Sequence, residues 1–79
     1  MSNEATGQGV SRADISKWFE YHPPTQQQLP KYQAIRDGAK DLAFTILSNT
    51  PPGPDQTAAI RLLRDTVMTA NQSIACEGT

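Results

Sequence analysis

The chain has 79 residues, and its 7 Lys+Arg against 8 Asp+Glu leave a formal net charge of −1, the wrong balance for gripping a nucleic-acid polymer through a basic face. With 37% hydrophobic residues, one small core is expected to supply about 3–5 kcal/mol, so the fold needs a disulfide, a metal or self-association. One cysteine excludes an internal disulfide, and one histidine argues against a structural zinc site, so an oligomer is expected.

Residues 1–10 are polar and without periodicity, and read as a disordered lead-in. Ser11 with Asp14 three positions later has the form of a capping box. Ile15, Trp18 and Phe19 then share one face, and Tyr21-His22-Pro23-Pro24 stops the helix, giving a first element over about 12–20. Its aromatic surface has to dock, and the pattern does not say where.

Thr25 to Gln28 is a second capping-box candidate. Pro30 either starts the next helix or bends it. Tyr32, Ile35, Ala39, Leu42 and Ile46 recur at spacings of 3, 4, 3 and 4, with Ala43 and Leu47 widening the stripe. The helix is expected to end at Leu47 or Ser48. Asn49-Thr50-Pro51-Pro52-Gly53-Pro54 is a turn, and Pro54 suits the first position of a third helix over about 54–76. Ile60, Leu63, Val67, Ala70 and Ile74 repeat the same spacing, while Leu62 and Met68 lie off the seam. Two long helices with matching seams and a short turn predict an antiparallel hairpin. The expected architecture is all-α: a short N-terminal helix plus a long hairpin, one domain over 11–79. Leu62 and Met68 read as an oligomer contact or as a loosely covered surface.

The chemistry available is sparse. His22 stands alone beside two prolines and reads as a capping or hydrogen-bonding side chain. The acids are scattered as solvated helix faces, there is no glycine-rich phosphate loop, and Cys76 near the terminus has nothing to activate it. No catalytic set, metal or cofactor is therefore expected. The apolar runs are too short to cross a membrane, and the start MSNEATGQGVS lacks a signal-peptide pattern, so a cytoplasmic protein with a reduced thiol is expected.

One combination could bind. Tyr21-His22-Pro23-Pro24 sets a ring in a rigid corner, and Arg36 flanks the seam with Lys40 one turn on. Such a set can stack on a base and hold a phosphate. Residue types alone favour the plainer alternative, in which Tyr21 packs on the hairpin and Arg36 pairs with Asp37 or a nearby acid.

A resemblance reverses that preference. Phe19 to Thr25, Lys31 to Arg36, the Asn49 to Pro52 turn, Val67 to Asn71, and Ile74-Ala75, in that order and spacing, resemble the phage anti-CBASS protein 2 family. The helical hairpin of that family is related to that of a Thoeris anti-defence sponge. The resemblance implies a homohexamer, a trimer of dimers, that sequesters cyclic oligonucleotide messengers without cleaving them in the cytoplasm of an infected bacterium. It implies that cyclic dinucleotides of the cyclic GMP-AMP type sit between subunits. Tyr21 would stack on a base and Arg36 would contact phosphate, with His22, Pro23 and Lys40 beside them. Some members also bind cyclic trinucleotides through an arginine just past the Ile-Ala of the last helix. Cys76 and Glu77 hold that place here, and neither can replace a guanidinium, so trinucleotide binding is not expected. Thr69 stands where the family pattern has a tryptophan.

Overall fold

A computed structural model describes residues 9–78, which form three helices: α1 (Arg12–Phe19), α2 (Leu29–Asn49) and α3 (Pro54–Ala75). Most of the expected N-terminal lead-in, residues 1–8, lies outside the described residues.

Local chemistry sets each boundary. Ser11 Oγ accepts from the Asp14 amide at 3.0 Å, and Asp14 Oδ2 accepts from the Ser11 amide at 3.1 Å, so the capping box of α1 is closed. Glu20 is extended, with ψ at 150°, and ends the helix ahead of the prolines. The second reciprocal pair also forms, Thr25 N to Gln28 Oε1 at 3.0 Å and Gln28 N to Thr25 Oγ1 at 3.2 Å. It closes a separate turn, and α2 begins beyond it at Leu29. Pro30 thus falls in the first helical turn, where its missing N–H leaves no bond unmade, and it starts the helix rather than bending it.

The α2–α3 turn is fastened by one side chain. Gln56 Nε2 donates to Thr50 O at 3.0 Å and Leu47 O at 3.3 Å, taking up carbonyls left over at the end of α2. Thr50 Oγ1 adds a bond of 2.7 Å to Ile46 O.

The helices α2 and α3 pack together as the expected hairpin. On α3 the half-buried residues include every predicted seam position, Ile60, Leu63, Val67, Ala70 and Ile74. On α2 they are Tyr32, Ile35, Ala39, Ala43 and Ile46. Leu42 and Leu47, expected on the stripe, are 48% and 53% exposed. Ala39 and Ala43 stand one turn apart in line, so their small side chains let α3 lie close, while Leu42 points about 100° away from Ala43.

The most enclosed point is at the opposite end from the turn. Cys76, expected at a fraying terminus, is 1% exposed and is the one fully buried hydrophobic residue among those described. Helix α1 returns to this end, where Gln72 Nε2 donates to Trp18 O at 3.2 Å, and the turn ahead of α2 is tied there too, Gln28 Nε2 donating to Ile74 O at 3.0 Å. The end of α3 holds its shape because Glu77 N bonds Ile74 O at 3.1 Å and Gly78 N bonds Ser73 O at 2.9 Å, the paired bonds of a Schellman closure.

Nothing else in the hairpin is enclosed. Phe19, Phe44, Leu62 and Met68 are 84%, 57%, 65% and 63% exposed.

The Schellman closure places Glu77 at φ 54°, a left-handed position that glycine occupies without a Cβ clash. Glu77→Gly is expected to stabilise the fold by about 0.5–1 kcal/mol after the entropy of the added glycine is set against the relieved clash. Thermal unfolding checks this, and a lowered midpoint would contradict the assignment.

Candidate functional site

Two surfaces carry the sequence-predicted residues. The first is a shallow groove of about 230 Å³ along the α2–α3 seam. Its floor is Ala39, Ala43, Ile60, Leu63 and Val67, and its rim is Arg36 and Lys40 from α2 with Arg64 from α3. The spacing of four between Arg36 and Lys40 puts both on one face of α2. No acidic residue lines the groove.

The plainer reading of the sequence pairs Arg36 with Asp37 or a nearby acid, and the guanidinium instead meets Gln33. Neighbouring residues on a helix point about 100° apart, so residue i+1 cannot meet it, whereas residue i−3 can. Arg36 Nη1 donates to Gln33 Oε1 at 2.9 Å, and Gln33 Nε2 donates to Asp37 Oδ1 at 2.8 Å. The glutamine therefore relays the carboxylate and restrains the guanidinium, while a guanidinium has five N–H donors to offer.

The second surface is the proline corner between α1 and α2. His22 Nε2 donates to Lys17 O at 2.6 Å, which satisfies a carbonyl in the last turn of α1 and fixes the proton on Nε2, because a carbonyl only accepts. His22 and Pro23 line a depression of about 230 Å³ with Lys17, Gln28 and Glu77. Tyr21 is 85% exposed and does not pack on the hairpin.

The structure therefore brings Arg36 and Lys40 together, and His22 and Pro23 together. It does not join the two pairs in one pocket, and Tyr21, exposed on the corner, lines neither the groove nor the depression. Arg36 lies about 10 Å along α2 from its first residue, at 1.5 Å per residue. Arg64 escaped the sequence reading. Its signal is a seam residue followed by arginine, Leu63-Arg64, as in Ile35-Arg36, but Ile60-Arg61 shows it too and sequence cannot choose between them.

Among the described residues no group of three or more His, Cys, Asp and Glu could hold a metal ion. No helix among them is long and apolar enough to cross a membrane. Residues 12–75, a span that includes the proline corner and the groove, match the Acb2/Tad1 hairpin domain. No curated protein and no solved structure matches the chain.

His22→Ala removes the bond that closes α1 and is expected to cost about 1 kcal/mol. Amide exchange should quicken within α1 while the middle of the hairpin keeps its protection. Unchanged exchange in α1 would show that the imidazole does not hold it.

Proposed function

The chain belongs to the Acb2/Tad1 hairpin-domain family, a family of anti-defence sponges for cyclic nucleotide signals, and we propose that it sequesters cyclic dinucleotides of the cyclic GMP-AMP type. The observation that carries this reading is the ring of Tyr21, 85% exposed on a corner held by Pro23 and Pro24. An aromatic side chain left in water at such a corner is suited to stacking on a base.

The ligand lies between subunits in this reading. Tyr21 supplies the ring, and Arg36, restrained by Gln33, supplies a fork of donors to a phosphate. Two copies related by a twofold axis bring two rings and two guanidinium groups to a ligand with two bases and two phosphates. The separation of Tyr21 from the Arg36 groove supports this, since one chain presents the two halves on different surfaces. The exposed Leu62 and Met68 support assembly in which another copy covers them, and the family resemblance makes that assembly a hexamer, a trimer of dimers, in this reading. An adaptor for an unrelated protein would also use those two residues, but it leaves the Tyr21 corner and the basic groove without a role.

Sequestration requires no nucleophile, and the protein acts without cleaving the ligand, in the cytoplasm of the infected host. Cyclic trinucleotides are not its ligands in this reading. The thiol of Cys76 is enclosed and Glu77 is anionic where the family pattern has an arginine.

Base–aromatic stacking is worth about 1–3 kcal/mol per base, and a charge-assisted hydrogen bond about as much. Tyr21→Ala and Arg36→Ala are each expected to weaken binding of cyclic GMP-AMP by roughly tenfold or more, with the oligomer retained. Calorimetry and sedimentation check this. Wild-type affinity in both variants would overturn the site.

A further inference from the structure

We infer that Arg64 is a further ligand-binding residue, which reaches from α3 to the same phosphate diester that Arg36 and Lys40 meet from α2. The inference rests on the cyclic dinucleotide reading and extends it to a residue on the other helix of the hairpin. Three of the chain's seven basic residues line this one groove, and no acid lines it. A chain with net charge −1 thus sets three cations together at one place. In the free protein these like charges repel across a floor of Ala39, Ala43, Ile60, Leu63 and Val67, which offers them no hydrogen-bond partner. Such an arrangement disfavours the unliganded state and favours one with a bound anion.

The floor also limits the choice of anion. It is apolar and shallow, so the ligand it suits has an uncharged body beside its charge, as a sugar and base beside a phosphodiester provide. Arg64 gives planar, bidentate recognition from the helix opposite Arg36, and Lys40 adds a point charge one turn further along α2. A phosphate gripped from two helices is fixed in orientation as well as in position.

The test measures cyclic GMP-AMP binding by calorimetry at two salt concentrations, for wild type, Arg64→Gln, Arg64→Lys and Arg61→Gln. Arg61 follows a seam residue as Arg64 does but does not line the groove. Arg64→Gln is expected to lose roughly tenfold to a hundredfold in affinity and to show a shallower salt dependence. Arg64→Lys should recover part of the loss, and Arg61→Gln should bind as wild type does. The melting temperature of free Arg64→Gln should stay level or rise, because a repulsive charge has gone. Equal affinity and salt slope in wild type and Arg64→Gln would overturn the inference. So would an equal loss in Arg61→Gln, or a loss accompanied by a lowered melting temperature and a broken oligomer. If wild-type protein itself fails to bind, the ligand reading falls first, and the role of Arg64 with it.

Discussion

Two helices laid side by side can each enclose one stripe and no more. Here α2 and α3 meet with the small side chains of Ala39 and Ala43 on one helix against Ile60, Leu63 and Val67 on the other, and that contact leaves every seam side chain only partly buried. The remaining apolar groups face outward on both helices. A chain built this way gains little from folding alone, because the apolar area removed from water is small while the backbone entropy of some seventy residues is lost. In the proposed reading a second copy supplies the covering; one cysteine allows no internal disulfide, and no metal-holding cluster stands among the described residues.

The same constraint explains why α1 returns to the far end of the hairpin. That end is where three elements meet, and it is where Cys76 becomes enclosed. Carbonyls at the end of α1 take donors from His22 and Gln72, and Gln28 reaches from the start of α2 to Ile74. Polar side chains do the fastening because there is little apolar interior to do it. The proline corner is held as a by-product: His22 binds inward, and Tyr21, one residue earlier, is turned outward.

Local chemistry was legible in the sequence wherever one residue type answers one geometric need. The Ser11–Asp14 box, the proline turn, the first-turn prolines of α2 and α3 and the whole α3 seam are of this kind. What the sequence did not carry was information about distance between elements. Leu42 and Ala43 both fit an apolar stripe, and only the closeness of α3 selects the smaller one. Cys76 looked terminal because nothing in the local pattern shows that α1 folds back over it. Asp37 looked like the partner of Arg36 until helical rotation placed Gln33 there instead. Among the site residues, Arg36 and Lys40 follow from a spacing of four on one helix, whereas Arg64 belongs to the same groove only through the packing of two.

Charge segregation reconciles an acidic chain with the phosphate ligand proposed for it. Net charge reports on the whole surface, while binding depends on the few groups that face the anion. In the proposed reading, a groove with three cations and no acid suits a small dianion, and it does not require the broad basic face that a polymer needs. Native mass spectrometry of the protein mixed with cyclic GMP-AMP reads assembly, stoichiometry and the state of the ligand together. The sponge reading predicts an oligomer that carries one ligand of unaltered mass per pair of chains. A ligand-bound monomer, an oligomer that takes up no ligand, or a ligand heavier by one water would contradict it.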